Sequence, residues 1–192
     1  MPDLNYIDEG EDGMLDAILA SAQEAIQTRK GGAGSGSWEA PGQPRFAWAP
    51  KSAEELKSKL GSGIKMMLSA ERGNLSPEEN ARRTANLQQS LELLADDIIP
   101  QQGVYGGTKE QSFVVSVKSQ EQADKIRDIA FRVLDQDSVI QIDGGKAELR
   151  YRDGKKEVGN VSDLEVDPAA TDNYSTLGGM KYRIPFKEQR NA

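Results

Sequence analysis

The sequence predicts an α+β fold in which a mostly antiparallel sheet carries two helices on one face. Short segments rich in β-branched and aromatic residues predict the strands of the sheet, above all "SFVVSV" at 112–117. Asp-Gly pairs at 143–144 and 153–154 are typical of hairpin turns. Two longer segments, 76–94 and 119–134, repeat apolar residues at helical spacing. A flexible N-terminal helix and an arm rich in proline and tryptophan are expected to precede this domain.

Residues 1–30 are predicted to form an acidic tail and an amphipathic helix. Residues 1–24 contain seven acidic residues and no basic one, which equals the whole net charge of −7. Apolar residues then recur at spacings of three and four, as on one face of a helix. Either this face packs on the domain, or it docks in the groove of a partner protein. The predicted contacts are Met14, Leu15, Ile18, Leu19 and Ile26.

Residues 31–50 are predicted to be a linker followed by an aromatic arm. "GGAGSGS" at 31–37 has the composition of a flexible linker. "WEAPGQPRFAWAP" at 38–50 is too apolar for a free linker and too rich in proline for regular structure. We expect an extended arm anchored on the domain, or an aromatic peptide presented to a partner. Trp38 and Trp48 are the predicted partner-binding residues of this arm.

The α+β domain is predicted to span 51–192. A short helix begins at Ser52 and ends at Gly61, and an interior strand, "IKMMLSAE", follows. Ser76 and Glu79 have the spacing of a capping box, which starts the next helix. Further strands are expected at 112–117, 138–142, 146–151 and 180–186, with a weak strand at 161–166 and a turn or short strand at 103–107.

The composition excludes several kinds of chemistry. The chain has neither Cys nor His, so disulfides, thiolate nucleophiles, Cys/His zinc sites and imidazole bases are ruled out. We therefore predict no catalytic residue, no metal site and no cofactor. Residues 25–192 carry 24 basic and 24 acidic side chains, so direct nucleic-acid binding is not expected. No apolar run is long enough to span a membrane. A soluble protein of the host cytoplasm or of a virion is expected.

Three polar segments are the candidate binding site. "SAERGNLSPEENARR" at 69–83 opens a helix, "GVYGGTKEQSF" at 103–113 enters the central strand, and "DQDSVI" at 135–140 precedes another strand. Glu110 enters a buried strand and needs a partner, for which Arg72 or Arg83 is the natural candidate. The segments form either a ligand-binding cluster or well-capped helices joined by an ion pair. The predicted ligand-binding residues are Arg72, Asn80, Arg83, Glu110, Ser112, Gln136 and Ser138.

Three motifs together resemble a small domain family of unknown function found in bacteria and tailed phages. They are "LSAERGNLSPEENARRTANLQQSL", "GTKEQSFVV" and "RVLDQDSVI", and the resemblance covers about 64–151. The resemblance implies that their polar positions form one shared cluster, and it implies no activity. Those positions are Asn80, Arg83, Glu110, Ser112, Gln136 and Ser138.

The sequence favours a phage-type accessory protein that acts without catalysis, through protein–protein interaction. It is predicted to be virion-associated or to modulate a host or phage protein, with the N-terminal helix and arm contacting the partner. One alternative is a small-ligand or nucleotide-binding domain, for example a degenerate enzyme. Another is an acidic inhibitor of a DNA-binding host protein.

Overall fold

Ten strands form a single antiparallel sheet in the computed structural model, which describes residues 48–188. Their order across the sheet is β10-β6-β5-β4-β1-β3-β2-β8-β9-β7. The strands are β1 Ile64–Ser69, β2 Asp97–Tyr105, β3 Thr108–Val117, β4 Ser138–Asp143, β5 Lys146–Tyr151, β6 Lys156–Asn160, β7 Glu165–Val166, β8 Tyr174–Leu177, β9 Met180–Arg183 and β10 Lys187–Glu188.

Each of the three α-helices in the described residues begins after a serine. The helices are α1 Ala53–Gly61, α2 Pro77–Leu94 and α3 Gln120–Asp128. A π-helical turn, Ile129–Val133, continues α3, and a 3₁₀ turn lies at Val161–Asp163. The hydroxyls of Ser52, Ser76 and Ser119 each accept a backbone N–H from the residue three positions further on. These bonds satisfy donors that a helix start otherwise leaves unpaired.

The start of α2 provides a test of this capping. The Glu79 N–H donates to the Ser76 hydroxyl at 3.2 Å, and Glu79 Oε2 accepts the Ser76 N–H at 3.2 Å. We expect Ser76→Ala to lower the free energy of unfolding by about 1 kcal/mol, measured by urea denaturation. Gln89→Ala, an exposed change within the same helix, is the control. A loss no larger than that of the control would show that the cap is unimportant.

The sheet is packed on both faces. Successive residues of a strand point to opposite sides, so the same strand contributes side chains to two cores. On the outer face, α2 and α3 cover one core. Its central members are Met66, Leu68, Leu87, Leu91, Phe113, Val115, Ala123 and Ile126. On the inner face, α1 contributes Leu56 and Leu60 to a second core. That core joins residues of strands far apart in the sheet, namely Met67, Val114, Ile142, Leu177 and Tyr182.

The predicted fold class, an α+β sheet with two helices on one face, is wrong. The sheet has ten strands, curls into a half-barrel and is accompanied by three short helices. The prediction failed because the segments at 97–105, 156–160 and 174–177 also form strands. A sheet of this width coils through its intrinsic twist, so its inner face encloses a second core.

Strand β2 is longer than the sequence predicts. It contains Pro100, and the sequence predicts only a turn or short strand around 103–107. Along 97–105 it pairs with β3, but it pairs with β8 only at 102–104. Pro100 therefore lies where β2 has one neighbour, and its missing N–H leaves no partner unpaired.

The predicted N-terminal helix and linker, with Trp38, lie outside the described residues. Trp48 lies within them and packs against the second core. Its indole N–H donates to Glu55 Oε1 at 3.3 Å, and the Lys59 ammonium lies 5.8 Å from its ring centroid. Within 48–188, no helix combines the length and the apolar character that a membrane crossing requires.

Candidate functional site

A cavity of about 870 Å³ opens on the inner face of the sheet. This volume lies in the range of sites that hold a small organic ligand. Its wall includes the loop after β1, the beginning of β3 and the segment that follows the π-helical turn. Five of the seven predicted binding residues line it: Arg72, Glu110, Ser112, Gln136 and Ser138.

The strand register explains how these side chains meet. Ser112 of β3 lies directly between Ser69 of β1 and Gln101 of β2. Two residues earlier on β3, Glu110 lies opposite Gly103. Because alternate residues share a face, Glu110 and Ser112 point to the same side of the sheet. The register therefore brings polar residues of three strands to one end of the cavity.

Asn80 and Arg83 do not line the cavity but support the loop that does. The Asn80 amide accepts the Arg72 N–H at 2.9 Å and donates to the Arg72 carbonyl at 2.9 Å. Arg83 Nε donates to the Ala70 carbonyl at 2.7 Å, and its Nη2 donates to the Leu134 carbonyl. Arg83 thus ties the loop after β1 to the segment that ends the π-helical turn.

Glu110 has no cationic partner among the described residues. The expected ion pair with Arg72 or Arg83 is wrong, because Arg72 pairs with Asp135 and Arg83 binds backbone carbonyls. Burial raises the pKa of Glu110, and the nearby charge of Glu71 raises it further. Glu71 also lines the cavity and forms no ion pair in the described part of the chain. The two carboxyl groups make this end of the cavity attractive to a cation.

Tyr105 forms an aromatic wall beside Glu110. A Cβ added at Gly103 would lie 2.5 Å from Tyr105 Cε2, so the ring lies over this glycine. The phenol is hydrogen-bonded to the Ser175 hydroxyl at 2.9 Å. Ser175 lies opposite Gly103 in the sheet, so the absence of a side chain at Gly103 gives the ring its place.

A second tyrosine orients an amide on the cavity wall. Tyr182 donates from its hydroxyl to Gln101 Oε1 at 2.7 Å, across 81 positions of sequence. Burial raises the pKa of Tyr182, so its phenol keeps its proton. Gln101 therefore accepts through its oxygen, and its nitrogen is left to donate.

An ionic network borders the cavity on the side of the π-helical turn. Asp135 pairs with Arg72 and Arg152, and Asp137 pairs with Arg152 at 3.3 Å. Gln136 lies between the two aspartates and donates from its amide to the Glu71 carbonyl at 3.2 Å. Asp135 has a left-handed backbone, with φ of 51°, which turns the chain at this point. These contacts hold Glu71 and Arg72 at the cavity wall.

The sequence interpretation missed several residues that line this cavity. Glu71 lay within the quoted motif but was not selected, because nothing local separates it from an ordinary exposed acid. Gln101, Gly103 and Tyr105 share one face of β2, but the segment 97–105 does not alternate between apolar and polar residues, so its sequence gives no period-2 signal. Tyr182 had no local signal, since its partner is on a distant strand. The missed residues are Glu71, Gln101, Tyr105, Ser175 and Tyr182.

The cavity combines two chemical features that a charged small molecule can use. Glu71 and Glu110 offer negative charge, whereas Gln101 and Ser112 offer neutral hydrogen-bond donors. Residues 48–188 contain no group of three or more acidic side chains placed to hold a metal ion.

Comparison with protein families identifies a relationship. The S-adenosylmethionine lyase family matches residues 66–184, which is more than half of the chain and includes every cavity-lining residue except Phe186. No curated protein matches the chain.

The match corrects the functional predictions. A family named for an enzymatic activity contradicts the predicted non-catalytic accessory protein, and nothing supports virion association or action by protein–protein contact. The predicted membership of a domain family is confirmed in part: the match includes all three motifs, but the matched family has a named activity rather than an unknown function, and no phage origin is shown. The chain belongs to the S-adenosylmethionine lyase family.

Proposed function

We propose that the protein is a lyase that cleaves a C–S bond of S-adenosylmethionine in the inner-face cavity. Membership of the family supports this activity. The observation that carries the proposal is that Glu71 and Glu110, which have no cationic partner within residues 48–188, both line a cavity of about 870 Å³. S-adenosylmethionine carries a sulfonium, an ammonium and a carboxylate, so its net charge is positive and matches this wall.

The acid pair suits the ammonium better than the sulfonium. Cleavage converts the sulfonium into a neutral thioether, so its positive charge fades in the transition state. A carboxylate held against the sulfonium would stabilise the substrate more than the transition state and would slow the reaction. The ammonium keeps its charge throughout. We therefore place the ammonium near Glu71 and Glu110.

Two routes break the bond without water as a reactant. In one, the substrate carboxylate attacks its own γ-carbon and forms a C–O bond. The C–S electron pair moves to sulfur, and a lactone and 5′-methylthioadenosine result without proton transfer. In the other, a base removes a β-proton and an unsaturated amino acid forms beside the same thioether. Holding the substrate in a reactive conformation serves both routes, and Glu110 can serve as the base in the second.

The test incubates the purified full chain with S-adenosylmethionine and identifies both fragments by mass spectrometry. We expect 5′-methylthioadenosine and an equal amount of a four-carbon amino-acid fragment, whose mass identifies the route. Glu121→Gln, an exposed change on α3, should leave the rate unchanged. Formation of 5′-methylthioadenosine no faster than in buffer would refute the proposed activity.

Ligand competition tests whether the ammonium of the substrate binds near Glu71 and Glu110. S-adenosylhomocysteine lacks the sulfonium but keeps the ammonium and the carboxylate, whereas 5′-methylthioadenosine lacks the whole amino-acid part. We expect S-adenosylhomocysteine to compete within about 10-fold of the substrate and 5′-methylthioadenosine to compete at least about 10-fold more weakly, because one charged hydrogen bond contributes roughly 1.5–3 kcal/mol. The measurement is the inhibition constant of each compound. Equal inhibition by the two compounds would contradict the assignment of the acid pair to the ammonium.

A further inference from the structure

Gln101 and Ser112 lie side by side on the cavity wall with hydrogen-bond donors that no described residue uses. They are direct partners in the pairing of β2 with β3, which places their Cβ atoms about 5 Å apart. Gln101 is 5% exposed and Ser112 is 8% exposed, so both are more than nine-tenths buried. Neither the Gln101 nitrogen nor the Ser112 hydroxyl has a hydrogen-bond partner within residues 48–188. Neither atom is among the enclosed, unpaired side-chain atoms of the described residues, so both are open to the cavity, where a ligand or water can accept from them.

Neighbouring residues determine that Gln101 and Ser112 present hydrogen-bond donors to the cavity. Tyr182 occupies the Gln101 oxygen, so the amide presents its nitrogen. Ser69, on the other side of Ser112, is already engaged: its hydroxyl donates to the Gln111 carbonyl at 2.8 Å and accepts the Glu71 N–H at 3.0 Å. Ser112 therefore turns to the cavity rather than to Ser69. The two residues form a neutral donor pair, which suits an oxygen acceptor.

We propose that Gln101 and Ser112 form the subsite that holds the carboxylate of the substrate's amino-acid part. This inference rests on the proposed lyase function and names the residues that recognise one group of its substrate. Glu110 lies two residues from Ser112 on the same face of β3, about 7 Å along the strand. In an α-amino acid the carboxylate and the ammonium share one carbon. A head group can therefore extend between the donor pair and the acid pair, with each charge beside its complement.

Tyr182 is a positioning residue in this arrangement, since it acts through Gln101. Without its hydroxyl, the amide can turn and present its oxygen, which repels a carboxylate. Tyr182→Phe should therefore weaken carboxylate recognition while both donor residues remain in place.

The experiment compares two uncleavable thioethers that differ only in the carboxylate: S-adenosylhomocysteine and its decarboxylated form, S-adenosyl-3-thiopropylamine. Isothermal titration calorimetry measures the dissociation constant of each for every variant. Wild type should bind the carboxylate form about 10- to 100-fold more tightly, the ratio that corresponds to roughly 1.5–3 kcal/mol for a charged hydrogen bond. Gln101→Leu should reduce this ratio most strongly, by weakening only the carboxylate form. Ser112→Ala and Tyr182→Phe should each reduce the ratio in part.

Gln102→Leu is the matched control, because Gln102 is the same residue type at the next position and is exposed on the opposite face. It should leave the ratio unchanged, and Ser112→Ala provides a second reading if Gln101→Leu does not fold. A wild-type ratio near one, or no binding of either compound, overturns the subsite. An unchanged ratio in both Gln101→Leu and Ser112→Ala also overturns it. Turnover of S-adenosylmethionine by the same preparation decides the lyase function separately.

Discussion

Glu110→Gln should lower kcat/KM for S-adenosylmethionine by about 100-fold. Glu110 lies on the cavity wall beside Glu71 and has no cationic partner among the described residues. Glutamine keeps the size of the side chain but removes the negative charge that we assign to the substrate ammonium. Losing a charged hydrogen bond costs roughly 1.5–3 kcal/mol, and about 2.7 kcal/mol corresponds to a 100-fold change. Steady-state kinetics on the wild type and the variant measure the effect.

The same substitution should make the ligand-free protein more stable at neutral pH. Burial and Glu71 raise the pKa of Glu110, so the folded state holds this proton more tightly than the unfolded state. The stabilisation from its protonation is complete below its ordinary pKa of 4.5 and is lost as pH rises through the folded-state value. Glutamine stays neutral at every pH and avoids this loss. Thermal unfolding at pH 7 should give a higher Tm for Glu110→Gln than for wild type, and the difference should shrink below pH 4.5.

Glu121→Gln serves as the control for both measurements, because Glu121 is an exposed acid in the first turn of α3. It should not change the kinetics, although its Lys125 pair lowers its pKa and gives it a small stability effect of opposite sign. Full activity of Glu110→Gln would remove the acid pair from the proposed mechanism. A lower Tm for Glu110→Gln than for wild type at pH 7 would show that the folded protein stabilises the charged form of Glu110, contrary to the raised pKa.

Arg83→Met should lower the free energy of unfolding by about 3 kcal/mol. Arg83 donates to the Ala70 carbonyl at 2.7 Å and to the Leu134 carbonyl, and so joins two segments that border the cavity. Each hydrogen bond from a charged group contributes roughly 1.5–3 kcal/mol, and buried carbonyls left without donors add a penalty. Methionine retains the apolar stem, so the change isolates the loss of the guanidinium. Urea denaturation, analysed for midpoint and slope, measures it.

Arg82→Met is the control, since Arg82 is the neighbouring arginine and is exposed. Its stability change should stay within about 0.5 kcal/mol, as for most surface substitutions. If Arg83 instead contacts the substrate directly, Arg83→Met would lower activity without lowering stability. That result would contradict a purely structural role for Arg83.

The predicted cluster and the observed cavity overlap, and the differences have clear causes. Arg72, Glu110, Ser112, Gln136 and Ser138 could be selected because polar residues beside buried strands stand out in the sequence. Whether they bind a ligand stays a prediction. The direct partners of Glu110 were misjudged, because sequence spacing does not reveal which arginine is already engaged by a carbonyl or an aspartate.

Two buried residues show what sequence patterns could not supply. Gln101 was absent from the prediction because the sequence predicts only a turn or short strand at 103–107 and no strand before it. Tyr182 was absent because its hydroxyl meets Gln101 only across 81 positions. Such pairs depend on the register of several strands, and a shift of one residue in register would turn each side chain to the opposite face.

The sequence alone determined the helix starts and the central strand of this protein, since both depend on neighbours in the chain. A serine hydroxyl caps a helix through a donor three residues away, and the apolar run of β3 needs burial whatever covers it. Only the tertiary structure decided the curl of the ten-stranded sheet, the second core and the side chains that face one another in the cavity. These features arise from pairing between strands far apart in the chain, where twist and register act together and no short segment contains the information.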